Sequence, residues 1–372
     1  MPTVIKQPQT TCFSSMLSDI VFGTTEDSGA VTLAVVCRGV SQTLISETLY
    51  PDSDGHITLI DLPSLIEPYA RSCPQLTLTC TLDDGTSVSI TPVHVLYCAC
   101  EIGSATDAAS FIGGHFLTLM DGKRYTAMGH GELLSAYGGA YQQGVDAPSA
   151  TFKVMADILG NDGNVTVQTL NLSVEPCNTA DVQDGQLLLY EFDASPRRLC
   201  GLFNVSEDSL QGYTVWMGAR SQDFTVAGSR EIQSPSLIFQ NSFGVSEILN
   251  CAGKHSKDSK YERKSARQSG RLRHYSIVED RVFSAVTGWM NDAMALWADD
   301  LFRSYDVHLW SEDDGIGREV VVSDSKSVLT NIDGDMTMYE FSYGYSQRNH
   351  NVMRLPHMCG RLHVEQFNET FN

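Results

Sequence analysis

Val, Ile, Leu and Thr recur in short runs over the first hundred residues, at 11–22, 31–38, 43–50 and 56–62. Turn-forming clusters separate them, among them Glu26-Asp27-Ser28-Gly29 and Pro51-Asp52-Ser53-Asp54-Gly55. Two further runs, 75–82 and 86–98, flank Asp83-Asp84-Gly85. Asp-Gly between apolar runs signals a hairpin, because glycine supplies the positive φ a tight turn demands. Short strands at this spacing predict a β-sandwich over residues 1–100, interrupted by one helix from Leu62 to Arg71.

The pattern then loosens. Ser104-Ala105-Thr106-Asp107 opens a short helix through Phe111, and Gly113-Gly114 breaks it. Strands resume at 151–159, 164–173, 186–192, 213–218 and 223–227, giving a second β-rich domain over 101–240. Residues 241–372 read as an α+β unit. A helix from Asn291 to Ser304 carries Met294, Trp297, Leu301 and Tyr305 at spacings of three and four, one apolar stripe. Asp292 suits its positive end. Strands follow at 306–310, 318–323 and 336–345, the last holding Met336, Met338, Tyr339, Phe341, Tyr343 and Tyr345. The fold class is therefore mainly β, and 372 residues are enough for two or three cores.

Charge changes this picture in one place. The chain has a net charge of -20. Yet Lys254, Lys257, Lys260, Arg263, Lys264, Arg267, Arg271 and Arg273 are opposed within that segment only by Asp258 and Glu262. The segment carries +6, so everything else carries -26. Its polar composition cannot fill a core, so residues 253–275 are expected to form an exposed arm, either a long hairpin or a loop. Such an arm is either idle and solvated, or docks on an acidic patch of a neighbouring copy, or binds nucleic acid or lipid. The last is disfavoured, because a polyanion must approach past the anionic remainder. An identical copy brings both signs.

Candidate chemistry is sparse. No phosphate-binding G-x-x-x-x-G-K-[ST], no dinucleotide G-x-G-x-x-G opening a helix, no G-x-S-x-G elbow and no H-E-x-x-H occurs. Cys98-x-Cys100, with Cys80 and His94 nearby, has no second ligand pair, so a zinc site is not expected. Asp52–Gly55 and Asn331–Asp335 resemble calcium loops but have Pro63 and Ser342 where a bidentate Glu belongs, and both read as turns. His115, His130 and Glu132, and likewise His350, His357 and His363, show no ligand spacing. No catalytic residue, metal or cofactor is predicted. The ten cysteines, Cys12, Cys37, Cys73, Cys80, Cys98, Cys100, Cys177, Cys200, Cys251 and Cys359, lie mostly in apolar runs, and no secretory signal follows Met1. Reduced, buried thiols in a protein made in a bacterial cytoplasm are expected. No apolar run is long enough to span a bilayer.

Leu17-Ser18-Asp19-Ile20-Val21, Leu49 to Gly55, Asn241 to Glu247, Trp297 to Ser304, Asp324 to Ser327, Phe341 to Asn349 and the ending Phe367-Asn368-Glu369-Thr370-Phe371-Asn372 form a set of phrases. Together they resemble an uncharacterised family of structural proteins from tail-gene modules of Bacteroidales phages and prophages. The likeness covers both ends well and the middle poorly. It implies a virion role, as a tail-tip or baseplate-type ring subunit. The implied partners are other copies of itself and neighbouring tail proteins, with no nucleic acid and no membrane. A carbohydrate- or receptor-binding module is the alternative, with Trp216, Trp289, Trp297 and Trp310 as stacking platforms; a cell-wall hydrolase is a third.

Overall fold

Period-two burial builds the first sandwich. The computed structural model describes residues 1–101, 107–228, 234–326 and 336–346. One sheet orders β1 (Thr3–Lys6), β3 (Ile20–Gly23) and β6 (His56–Leu59). The facing sheet runs β2 (Thr11–Phe13), β9 (Val93–Leu96), β7 (Gln75–Asp83), β4 (Gly29–Cys37), β5 (Val40–Leu49), with β8 (Ser87–Ser89) beside β7. Val31, Leu33 and Val35 on β4 and Leu76, Leu78, Cys80 and Leu82 on β7 alternate inward, meeting Ile20, Phe22, Ile57 and Leu59 from the opposite sheet. Helix α1 (Leu62–Ser72) closes one side, burying Leu62, Ile66 and Ala70 at intervals of four. The apolar run 86–98 is two strands rather than one, because Ser-Ile-Thr-Pro at 89–92 breaks the ladder at Pro92, which has no N–H to donate.

A second core follows. Its five-stranded sheet orders β10 (Lys123–Ala127), β16 (Arg220–Ala227), β15 (Leu210–Met217), β12 (Ala150–Leu159) and β13 (Val165–Val174), and β11 (Leu133–Ala140) pairs β14 (Leu187–Asp193). Phe152, Val154, Ala156 and Ile158 from β12 pack with Leu188, Tyr190 and Phe192 from β14. Helix α2 (Ala108–Gly114) starts after Asp107, whose side chain accepts from the Ser110 N–H, and it includes the expected Gly113-Gly114 break, ending at Gly114. Helix α3 (Pro196–Phe203) has no counterpart in the sequence reading; Pro196 at its first turn is a start signal that was available.

The third core lies under a seven-stranded sheet in the order β18 (Ser246–Asn250), β17 (Ser236–Gln240), β21 (Val307–Ser311), β22 (Gly315–Lys326), β23 (Glu340–Tyr345), β20 (Arg271–Val286), β19 (His255–Gln268). The expected helix from 291 is α4 (Asp292–Ala298), capped by Asn291 and tightening into a 3-10 turn over Asp299–Arg303. Trp297 and Leu301 of its stripe are buried, but Tyr305 is 74% exposed with Arg71 over its ring. Pairing in the last strand begins at Glu340, not 336.

The three cores are fused. Phe13, Leu96 and Cys98 meet Ala108, Leu117 and Tyr137 and also Phe243 and Val245 in one further apolar cluster. The Ala99 N–H donates to Ser242 O, and Ser242 donates through both N and Oγ to the buried Asp300. Where the second and third cores touch, Arg124 is buried with two carboxylates. Its Nη1 is 3.1 Å from Glu132 Oε2 and its Nη2 is 3.8 Å from Glu247 Oε1, while its guanidinium lies 3.7 Å from the Trp297 ring centroid. Trp297 Nε1 and Asn241 Nδ2 both donate to Glu247.

This joint has one cation for two buried carboxylates, so desolvation raises both, and Glu132 is pushed up to about 7. An unfolded glutamate titrates near about 4.3. A folded pKa raised above that value adds stability that is complete below about 4.3 and is lost as pH rises through about 7. Thermal melts at pH 5 and pH 8 should therefore show lower stability at pH 8. Glu132→Gln should flatten that difference; an unchanged slope in the variant would remove Glu132 as its source.

One expectation about cysteine fails. Cys37, at the end of β4, and Cys73, just beyond α1, are disulfide-bonded, with Cα atoms 6.1 Å apart. The helix return places these two strand-end and cap positions side by side, within the separation a disulfide spans. Cys12, Cys80, Cys98, Cys200 and Cys251 are free and buried, Cys100 half-buried, and Cys177 is exposed. Cys359, His350, His357, His363, the Asn331–Asp335 turn and the resembling phrases from residue 347 onward lie outside the described residues. No described helix is long and apolar enough to cross a membrane.

Candidate interaction surface

The cationic segment is a hairpin. Gln268-Ser269-Gly270-Arg271 forms its tip, with φ of 53° at Ser269 and 78° at Gly270, the two positive values of a two-residue turn matched to strand twist. The outgoing strand β19 pairs with β20 from His255 to Gln268. The returning strand runs on to Val286, past the expected end of the arm at 275, because only its last rungs enter the sheet. Phe283–Val286 pair with β23, and Arg271–Val282 pair with β19 alone. Twelve residues at about 3.3 Å each give a ribbon roughly 40 Å long.

The ribbon's base is fixed by stacking and one ion pair. Phe283 stacks on Tyr343 at 5.1 Å and on His255 at 5.9 Å. Further out, Arg281 Nη2 lies 2.6 Å from Glu279 Oε2, and Tyr261 donates to Glu279 Oε1. Those bonds, Arg281 first, hold the Glu279 carboxyl down to about 2. One rung further out, at Glu262, the carboxylates stop: from Arg263 to Val278 the chain has five Arg or Lys and no Asp or Glu. Every residue from Lys260 to Tyr275 is exposed.

Paired rungs share a face, so the register distributes the charge. Arg263 (opposite Ile277) and Arg267 (opposite Leu272) lie on one face, while Lys264 (opposite Ser276) and Arg273 (opposite Ala266) lie on the other. A register shift next to Lys264 and Ser265 leaves Tyr275 as the extra residue. Tyr275 and Leu272 are 68% and 69% exposed, and Tyr261, Ile277 and Val278 are also exposed. Arg263 lies 5.0 Å from the Tyr261 ring. All eight arm cations, Lys254, Lys257, Lys260, Arg263, Lys264, Arg267, Arg271 and Arg273, are exposed, and among the described residues none is in an ion pair. Both faces of the ribbon are thus bare, combining cations with apolar side chains. An isolated two-stranded ribbon is marginal in water without a surface to cover it.

Opposite charge gathers elsewhere. The loops at 24–27, 52–55 and 83–85 meet at one end of the first sandwich, where Thr24 N donates to Gly55 O and Thr24 Oγ1 to Asp84 Oδ2. They carry Glu26, Asp27, Asp52, Asp54, Asp83 and Asp84 and no Lys or Arg. Asp52 is occupied as a turn former, accepting from the Asp54 and His56 N–H groups.

The remaining candidates do not converge. Cys98 and Cys100 sulfurs are 3.3 Å apart, but among the described residues no three His, Cys, Asp or Glu side chains gather as a metal would need. His115 stacks on Phe111, whereas Glu132 sits with Arg124, and burial pushes His130 down to about 4. Trp297 is buried, Trp216 and Trp310 are half-buried, and Trp289 is 66% exposed. No protein-family model matches the chain, and no curated protein is significantly similar to it.

Proposed function

We propose that the protein is a non-enzymatic structural subunit of a phage-like tail, of the tail-tip or baseplate ring type, and that copies join through the β19–β20 arm. The observation that carries this is the ribbon itself, bare on both faces and cationic at its tip, on a chain whose other residues carry -26. An arm of this charge is steered toward another copy's anionic body and repelled by other arms, which favours head-to-tail contacts that close into a ring. Its exposed Leu272, Tyr275 and Ile277 supply the apolar contact that charge alone does not. The resemblance to tail-module proteins supports the setting.

Replacing Arg263, Lys264 and Arg267 together with Gln should abolish the ring while leaving circular dichroism and melting temperature unchanged. Wild-type assembly should weaken as salt rises, since exposed charges are screened over about 8–10 Å at physiological ionic strength. Light scattering of both proteins at 0.05 and 0.5 M NaCl reads this. A triple variant that assembles at wild-type yield would refute the arm's role. A second reading, a glycan- or receptor-binding module, draws on exposed Trp289 as a stacking surface; a glycan array without hits disposes of it.

A further inference from the structure

The arm is not the one open strand surface. Strand β13 pairs with β12 on one side and with no other strand over its length, so its outer backbone groups from Val165 onward face solvent. Only the residues after it turn in, where the Cys177 N–H donates to Leu189 O. Val165–Gln168 are exposed on both faces, with Val165 and Val167 at 55% and 58%. The strand reads Val-Thr-Val-Gln-Thr-Leu-Asn-Leu-Ser-Val: ten residues without a charge, a proline or a glycine.

A free edge of that length is a template for another strand, and proteins ordinarily blunt such edges with charge, proline, bulges or brevity. The other edges here are blunted. Strand β5 carries Glu47 and a bulge at Leu44, which has no partner between Leu33 and Ala34, and β19 carries Lys257, Lys260 and Lys264. Strands β1, β2, β6, β10 and β18 have five residues or fewer, and β14 carries Glu191 and Asp193. Strand β11, also uncharged, is buried over Leu134–Tyr137. Solvent-facing β13 is left as the long, unguarded edge among the described strands.

We infer that β13 is a second assembly surface, pairing antiparallel with β13 of a second copy across a two-fold axis. The occupant follows from charge. Away from the arm each copy is strongly anionic, so two bodies repel wherever carboxylates meet, and the ten uncharged residues of β13 form a seam where they do not. A two-fold contact presents the same patch from both copies, and an uncharged strand rich in Val, Thr and Leu complements itself. The inference builds on the proposed role as an assembling subunit but uses a different surface. The backbone bonds and apolar contacts of this seam are insensitive to salt, unlike those of the arm.

The test is sedimentation equilibrium of the full chain in 0.5 M NaCl, where arm contacts are screened, comparing wild type with Val165→Lys/Val167→Lys. Both positions are exposed, and lysine on an edge is the natural deterrent to pairing. Wild type should be dimeric. The double variant should be monomeric at the same concentration, its dissociation constant raised at least tenfold, with unchanged circular dichroism. Hydrogen exchange of wild type supplies a reading that needs no variant: amides of residues 165–172 should gain protection as concentration rises through the dimer range. A wild-type monomer in 0.5 M NaCl, or exchange at 165–172 that ignores concentration, would overturn the seam even if arm-dependent assembly at low salt persists. Conversely, a salt-resistant dimer in a chain whose arm variant assembles normally would sink the arm and keep the seam.

Discussion

Arg124→Ala should destabilise the folded chain by about 3–5 kcal/mol, the largest loss expected from a single substitution here. The figure comes from what remains. Without the guanidinium, Glu132 and Glu247, 1% and 2% exposed, face each other with no cation between them, and Trp297 loses the partner over its ring. A buried pair broken on one side costs far more than one removed entirely, because the leftover charge has no water to solvate it. Converting Arg124, Glu132 and Glu247 together to Met, Gln and Gln removes all three charges while keeping acceptors for Trp297 Nε1 and Asn241 Nδ2, and should therefore be milder than the single alanine change. Urea unfolding at pH 7.5 measures both. A loss below about 1 kcal/mol for Arg124→Ala would mean that the cation does not hold the second and third cores together.

Breaking the Cys37–Cys73 disulfide should cost about 4 kcal/mol. The bond closes a loop of sequence separation 36, encompassing β5, β6 and α1, and the penalty is the chain entropy the unfolded state regains when that loop opens. Denaturant midpoints of the reduced protein and of Cys37→Ser/Cys73→Ser should agree with each other and both fall below that of the intact protein. Loss should concentrate in the first sandwich, seen as faster hydrogen exchange in β4 and β7 than in β12. Equal midpoints for all three would show that the bond adds nothing to equilibrium stability.

Legibility in the sequence followed the range of the interaction. Strands β4, β7 and β12 were readable because each hides every second side chain. The Asp83-Asp84-Gly85 turn was readable because Gly85, at φ 101°, does what Asp-Gly predicts. The arm was readable as a charge block, since eight cations in twenty residues have no core to enter. Charge alone does not distinguish a hairpin from a loop, and the cationic pattern ends before 275. Residues 276–282 look like ordinary strand, and only the register with β19 shows that they belong to the ribbon. Helix α3 was missed because eight residues opened by proline and crossed by Gly201 give a weak periodic signal.

By itself the sequence determined the alternation that makes the chain mainly β, the turns between strands and the electrical asymmetry of one short segment. These depend on neighbours within about a dozen residues, where periodicity and turn chemistry act. The tertiary structure decided the rest. Parallel pairing of β2 with β9 and of β10 with β16 joins positions some 80 and 100 residues apart, and nothing local distinguishes those partners. Arg124, Glu132, Glu247 and Trp297 are four unremarkable residues until folding removes them from water together. Edge status is likewise absent from the strand's own residues: β12 and β13 are both ten residues long, and only the order of the sheet leaves β13 without a second neighbour.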